Sequence, residues 1–154
     1  MGRFRKTLRK RLAVRGERGA NLVEFALIAP LLVLLLLGVI EFGWGLAQQI
    51  DVRHKAREGL RILIVDAPES EIQARICNDD IVDGSNVDSI ELSSGFTVGS
   101  AATVTVEANV EQITGLFGLF WGPSARISST VEGRVEQETT SFASSPHNIS
   151  PPCP

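Results

Sequence analysis

The chain has 154 residues, 44% of them hydrophobic, and a formal net charge of −3. Its charge is unevenly distributed: residues 1–18 hold eight Lys and Arg side chains against one acid, whereas the remainder holds seven against seventeen. This asymmetry predicts that the two parts face different environments. Because the first 50 residues differ so much from the rest, only about 90 residues are left for one small folded unit.

An apolar segment follows the basic arm directly. Residues 22–47 read LVEFALIAPLLVLLLLGVIEFGWGLA, and at about 1.5 Å per residue a helix of this length exceeds the roughly 30 Å hydrocarbon thickness of a bilayer. The segment therefore predicts a single transmembrane helix, with the basic arm in the cytoplasm and the carboxyl-terminal part outside. A cleaved secretory signal is the competing interpretation. The anchor is favoured because the apolar run is longer than a usual signal core and no small-x-small cleavage site follows it.

The basic arm also raises the question of nucleic-acid binding. That function would require salt-dependent binding by residues 1–18. Their position beside an apolar span already explains their charge, so no nucleic-acid partner is expected.

One long helix is predicted from Ala20 to about Asp66, apolar in its first half and amphipathic in its second. Pro68 is expected to end it, and Pro30 is expected to kink or loosen its membrane half by removing one hydrogen-bond donor. In the second half, apolar residues recur at helical spacing and form a stripe that can pack on a globular domain: Val52, Ala56, Leu60 and Leu63.

The remaining residues predict an α+β domain. ESEIQARICN, residues 69–78, suggests a short helix, and the Asp- and Asn-rich stretch after it a loop. VDSIELSS, TVTVEANV and ARISSTVEGRVEQ predict three strands, the last with Ile127, Val131 and Val135 on one face. EQITGLFGLFWG, before the last strand, places apolar residues at helical spacing: Ile113, Leu116, Phe117 and Phe120. The expected fold is a small antiparallel sheet of about three strands packed on the outer half of the long helix.

The stretch RGERGANLVEF, residues 15–25, places Glu24 five positions after a glycine at the entrance to the apolar run. A membrane protease cutting there needs a slender, extended backbone, which Gly19 permits because it lacks Cβ. Cleavage after Gly19 would release the basic leader and leave Ala20 as a new amino terminus, with Glu24 at mature position five.

A glycine followed by four residues and then Glu-Phe, with basic residues before and an apolar helix after, resembles the processing signature of type IV prepilins. The longer string RGERGANLVEFALIAPLLVLLLLGVIEFGWGL is similar to the TadE-like pseudopilins of the tight-adherence (Flp-type) pilus system. The shared features are VEFAL at 23–27, Pro30 six residues after the glutamate, and a second EFG at 41–43. The resemblance is specific over about residues 15–60 and looser in the closing strand, ITGLFGLFWGPSARISSTVEGRVE.

The resemblance implies a pilin-like structural or assembly subunit, processed after Gly19 by a prepilin peptidase. Its implied assembly motif is Gly19, Ala20, Glu24 and Phe25, in which Glu24 meets the free α-amino group of a neighbouring subunit's Ala20. The implied partners are the peptidase, other pilin or pseudopilin subunits, the inner-membrane pilus assembly platform and the lipid bilayer. The implied location is the bacterial inner membrane, single-pass with a periplasmic carboxyl terminus, and the pilus itself as a further location. The alternative for Glu24 is a hydrated side chain at the cytoplasmic interface of an ordinary anchor.

These inferences predict five segments. They are a basic cytoplasmic leader at 1–19, a transmembrane helix at 20–47, its extracytoplasmic continuation at 48–66, a small α+β domain at 67–138 and a Ser- and Pro-rich flexible tail at 139–154. The alternative function is an uncleaved single-pass anchor that carries a periplasmic binding domain. A retained leader would distinguish it.

Glu41 and the two cysteines are further candidates. Glu41 lies roughly 25 Å along the helix from Glu24 and is expected among the outer headgroups. Cys77 and Cys153 fall on the side where oxidation can occur. A disulfide between them, an intermolecular pair and two idle thiols remain open.

No metal, cofactor or catalytic residue is predicted. The cysteines lack C-x-x-C spacing, and His54 and His147 have no ligand-like neighbours. An acidic run suggests calcium but lacks EF-hand spacing and a closing glutamate, so a solvated loop is favoured: Asp79, Asp80, Asp83 and Asp88. No G-x-S-x-G elbow or P-loop is present, and the G-x-x-G of Gly115 and Gly118 is typical of packing. An enzyme is therefore not expected.

Overall fold

The computed structural model describes residues 3–78, 81–95, 97–115, 118, 125–138, 140, 146–150 and 152–153; for residues 3–18 and 85 it describes the backbone alone. The helices are α1 (Arg3–Leu63) and α2 (Glu69–Ile76), followed by a short 3₁₀ turn, Gly84–Asn86. The strands are β1 (Val87–Ser94), β2 (Ala101–Asn109), β3 (Arg126–Arg134) and β4 (His147–Ile149). The α+β class is as predicted. The chain divides into two compact units, Met1–Ile40 and Glu41–Pro154.

Helix α1 begins earlier than predicted, at Arg3 instead of Ala20. The cause lies in the leader's composition: Arg, Lys, Leu and Ala are good helix formers, and in the segment 3–18 only Gly16 opposes them strongly. The basic charge of this segment predicts a leader but carries no information about its backbone conformation. The helix therefore does not conflict with the predicted leader.

The other end of α1 is set by a left-handed residue and not by Pro68. Asp66 has φ 62°, its N–H donates to the Leu63 carbonyl at 3.1 Å, and the Ala67 N–H donates to the Ile62 carbonyl at 3.1 Å. This pair of bonds is a Schellman motif, which closes a helix by satisfying its last carbonyls. Pro68 instead precedes the first turn of α2. The helix therefore stops at Leu63, a few residues before the predicted end.

The sheet is antiparallel throughout and has four strands in the order β3-β2-β1-β4. Strand β4 corrects the prediction of about three strands, and it lies within the segment 139–154, for which the sequence predicts a flexible tail. Its three residues pair with Ile90–Leu92 of β1, and Ile149 is 4% exposed. The Ser and Pro content of the tail concealed this strand because three residues are too few to show an alternating pattern.

The core of the second unit lies between α1, α2 and one face of the sheet. The predicted stripe is confirmed, because Val52, Ala56, Leu60 and Leu63 are all buried. They belong to one cluster with the inward residues of β2, namely Ala102, Val104, Val106 and Ala108. At Gly59 a Cβ would lie 2.7 Å from Ile76 Cδ1 and 3.5 Å from Val104 Cγ1. The absence of a side chain there brings α1 close to both α2 and the sheet.

Strand β3 has the predicted faces: Ile127 and Val131 are partly buried, while Arg126 and Arg134 are exposed. Residues 111–115 of the stretch EQITGLFGLFWG contain no helix, whereas Gly118 is helical as the apolar spacing predicts. Gly115 has φ 68°, a left-handed conformation that interrupts a right-handed helix. Leu116, Phe117 and Phe120 lie outside the described residues.

Candidate functional site

The predicted cleavage and assembly motif lies within α1, in the first unit. Gly19, Ala20, Glu24 and Phe25 are all exposed, and a Cβ added at Gly19 would have no neighbour within 4 Å. Ala20 and Glu24 are four residues apart, so they share one face of the helix. No described side chain forms an ion pair with the Glu24 carboxylate. The segment is thus free of internal packing, and both residues of the implied pair are presented outward.

An apolar helical surface follows the motif. The most apolar 18-residue window of the Gly19–Leu63 part of α1 has a mean hydropathy of 2.7, and none of it is buried. Nearly all its large side chains are more than half exposed, for example Leu31 at 70% and Leu35 at 65%. Pro30 lies inside this stretch. Among the described helices this one alone is long and apolar enough to cross a membrane, and the chain has the composition of a single-span membrane protein.

The second unit begins with four polar side chains on one face of α1, which we call the polar row: Glu41, Gln48, Asp51 and Lys55. Glu41, Gln48 and Lys55 are seven residues apart in turn, and Asp51 follows Gln48 by three, so all four face the same side. Their exposed fractions are only 1–6%. Buried polar groups require hydrogen-bond partners, and each member of the row finds one in the backbone of a loop.

Glu41 is the first member of the polar row, and it is only 5% exposed. Its Oε2 accepts hydrogen bonds from the Thr114 N–H at 2.9 Å and from Thr114 Oγ1 at 2.6 Å. The sequence did not reveal this partner, because it lies 73 residues away in a loop. The headgroup position of Glu41 stays a prediction.

Gln48 holds the same loop by a pair of hydrogen bonds. Its Nε2 donates to the Glu111 carbonyl and its Oε1 accepts from the Glu111 N–H, both at 2.8 Å. The side-chain amide therefore satisfies both backbone groups of one residue, as a neighbouring strand would. Together with the Glu41–Thr114 bonds, this fixes residues 111–114 against α1.

Asp51 and Lys55 hold a second loop. Asp51 Oδ2 accepts from the Val82 N–H at 2.9 Å and lies 3.9 Å from Lys55 Nζ. Lys55 Nζ also donates to the Asn78 carbonyl. A charge taken out of water is costly unless it is paired and hydrogen-bonded, and here both charges meet that requirement. The pair therefore attaches the loop that follows α2, at Asn78 and Val82, to α1.

A cavity of about 400 Å³ lies beside Glu41 and the 110–112 segment. Its walls are mostly apolar, and its lining includes Glu41, Phe42, Leu46, Val110, Arg126 and Ile127. Arg126 is 70% exposed, and its Nε lies 3.3 Å from Asp88 Oδ2. Glu41 Oε1 is buried and has no hydrogen-bond partner among the described residues. Apolar walls with few polar groups are typical of ligand sites.

The two cysteines lie together in the second unit. Cys77 and Cys153 form a disulfide with a Cα–Cα distance of 5.6 Å. Two hydrogen bonds support the same region: Gln73 Nε2 donates to the Pro152 carbonyl at 3.1 Å, and the imidazole Nε2 of His147 lies 3.0 Å from Glu69 Oε2. The end of the chain is thereby attached to α2.

The acidic run does not form a shared site in the described part. Asp79 and Asp80 lie outside the described residues. Asp88 accepts a hydrogen bond from Asn109 Nδ2 at 2.7 Å as well as pairing with Arg126. Within the described residues no cluster of three metal-ligating side chains is found.

Sequence reasoning missed the polar row. A usable signal was present: polar residues at 41, 48 and 55 recur every seven positions on an otherwise amphipathic helix. A heptad-spaced polar row within a helix indicates a buried polar contact. The pattern could not identify the partners, because they are mainly backbone groups of distant loops. Such groups are present at nearly every residue and so have no characteristic sequence pattern.

Comparison with known proteins agrees with the motif. Residues 19–61 match the family model described as TadE-like protein. The match begins at the glycine of the predicted cleavage site and ends two residues before the end of α1. No curated protein and no solved structure matches the chain.

Proposed function

We propose that this TadE-like chain, whose match to the family covers residues 19–61, is an assembly subunit of the tight-adherence pilus, a minor pilin, processed after Gly19. The observation that carries the proposal is the family match that starts at Gly19 together with the outward presentation of Ala20 and Glu24 on one helix face. In this proposal a prepilin peptidase in the bacterial inner membrane removes the basic leader. The second unit then lies on the periplasmic side.

Gly19 makes the cut feasible. The structure places it inside α1, and a protease must unwind the helix locally to reach the Gly19–Ala20 peptide. Glycine is about 1 kcal/mol less favourable in a helix than alanine, so unwinding costs least at this position. The exposed surroundings leave the backbone accessible from outside.

Cleavage creates the partner of Glu24. A carboxylate in hydrocarbon costs at least about 2–3 kcal/mol, and pairing with an ammonium group reduces that cost. Before cleavage Ala20 has only an amide, whereas afterwards it carries a positive α-amino group. The geometry within one helix keeps the two groups on one face, so a neighbouring subunit shifted along the filament can supply the complementary group.

The first test is the amino-terminal mass of the protein from its native membrane. We expect a peptide that begins at Ala20. Gly19→Leu is expected to reduce processing at least about tenfold, because its side chain fits the exposed helix but obstructs the extended backbone needed for cleavage. Gly16→Leu is the matched control in the same leader and should be processed normally. An intact start at Met1 or Gly2 in cells with active peptidase would contradict the proposal.

The second test separates assembly from processing. Glu24→Gln is expected to leave cleavage intact while lowering piliation about tenfold or more, because a neutral amide cannot pair with the ammonium group of Ala20. Glu17→Gln is the control, since Glu17 leaves with the leader and has no role in the mature subunit. Piliation is counted by electron microscopy alongside the amino-terminal mass. Normal piliation in Glu24→Gln would refute the pairing.

The alternative is an uncleaved anchor whose second unit binds a ligand in the envelope. The cavity beside Glu41 is the observation in its favour. Two results together would select this alternative. The mature protein would keep its leader, and cells that lack the whole protein would remain fully piliated.

A further inference from the structure

The unexplained group of the second unit is the second oxygen of Glu41. Oε2 accepts two hydrogen bonds from Thr114, but Oε1 is buried with no partner among the described residues. Leaving a buried carboxylate oxygen without a donor is costly. A bound donor at this position would remove the cost.

The cavity beside Glu41 determines what kind of donor fits. Phe42, Leu46 and Ile127 provide apolar walls, and Arg126 lies in the lining. One Arg126 nitrogen, Nε, is engaged by Asp88, and a guanidinium has four further N–H donors. The cavity thus combines a carboxylate acceptor for a cation, a guanidinium for an anion and a surface for a hydrocarbon chain.

The position of Glu41 in the chain indicates where such a molecule is found. From Leu22 to Ile40 an apolar helix rises about 27 Å at about 1.5 Å per residue, close to the roughly 30 Å hydrocarbon thickness. Glu41 follows this run directly in the sequence, at the end of the apolar stretch. Two apolar residues that line the cavity are also exposed, Phe42 at 61% and Leu46 at 44%.

We propose that this cavity binds one phospholipid whose headgroup ends in a primary ammonium. The ammonium donates to Glu41 Oε1, the phosphate contacts Arg126, and an acyl chain lies along Phe42 and Leu46. This site goes beyond the assembly role and does not depend on cleavage at Gly19.

The test uses the full chain in nanodiscs and native mass spectrometry to count retained lipids. Phosphatidylethanolamine and phosphatidylcholine are the matched probes, because both are zwitterionic but the trimethylated headgroup has no N–H to donate. We expect the wild type to retain the ethanolamine lipid at least about tenfold more than the choline lipid, the ratio typical of one charged hydrogen bond. Equal retention of the two lipids would overturn the proposal.

Glu41→Gln is the decisive variant. Its side-chain carbonyl can still accept both hydrogen bonds from Thr114, but an NH₂ donor replaces the unpartnered oxygen, so the preference for the ethanolamine lipid should disappear. Glu111→Gln is the control: it removes the same charge at the same cavity, from an exposed residue that hydrogen-bonds Asn86 instead. A preference that survives in Glu41→Gln, or is lost equally in Glu111→Gln, would refute the site.

A second variant keeps the test valid if Glu41→Gln fails to fold. Gly45 lines the cavity, and a Cβ there has no neighbour within 4 Å. Gly45→Leu should therefore fill the cavity without disturbing Glu41 and lower retention of both lipids about tenfold. Unchanged retention in Gly45→Leu, or a wild type that carries no lipid and is instead a dimer through this surface, would show that the occupant is not a phospholipid.

Discussion

Replacing Asp51 with leucine is expected to lower the free energy of unfolding of the second unit by about 3–5 kcal/mol, the usual cost of breaking a buried charge pair. The substitution leaves the Lys55 ammonium, 1% exposed, with only the Asn78 carbonyl as partner. It also removes the acceptor of the buried Val82 N–H. We expect a lower denaturation midpoint for the full chain in detergent, followed by circular dichroism.

Two further variants separate this effect from a general loss of charge. Glu58→Leu removes an acid from the same helix, but its partner Arg61 is 68% exposed, so its effect should stay below about 1 kcal/mol. Asp51→Leu combined with Lys55→Met removes both buried charges and should be less destabilising than Asp51→Leu alone. If Asp51→Leu costs no more than Glu58→Leu, the buried pair does not hold the 78–82 loop.

Replacing both cysteines by serine is expected to cost about 4 kcal/mol. The disulfide closes a long loop, with a sequence separation of 76. In the chain-entropy model, removing a cross-link of that length restores about this much conformational freedom to the unfolded chain. The strand most affected is β4, which is only three residues long and pairs with β1 alone. Denaturant unfolding of the wild type and the Cys77→Ser/Cys153→Ser variant measures the difference.

A reductant provides the matched control. Adding it to the wild type should lower stability to that of the double variant, and it should leave the double variant unchanged. Other contacts of the tail remain without the disulfide, including the pairing of β4 with β1 and the hydrogen bonds of Gln73 and His147, each hydrogen bond worth about 1 kcal/mol. A wild type equally stable in both redox states would contradict this assignment.

The parts of the fold that could be predicted are those with a strong repeated pattern. The apolar run up to Ile40, the stripe from Val52 to Leu63 and the alternation in β2 each bury or expose a whole face. Such periodicity can be recognised in the sequence because all residues on one face share the same environment. The same reasoning predicts the cleavage motif of Gly19 and Glu24, because its spacing is a local property of the chain.

The parts that could not be predicted depend on single contacts or on the conformation of one residue. The sequence does not show that the Thr114 loop lies against Glu41. β4 is shorter than any detectable alternation, and the end of α1 depends on one left-handed aspartate, Asp66. Glu41 and β4 find their partners far away in sequence, and hydrophobic patterning encodes neither such partners nor a single left-handed residue.

The strand order also bears on how copies of this protein avoid aggregating. An open strand edge invites pairing with another chain, and β3, at nine residues, forms one edge of this sheet. Its outward side chains include Arg126, Glu132 and Arg134, and charges on an edge strand discourage such pairing. On the opposite edge, β4 covers Ile90–Leu92 of β1 and is kept there by the disulfide. Two copies of this domain can therefore lie side by side without forming one continuous sheet.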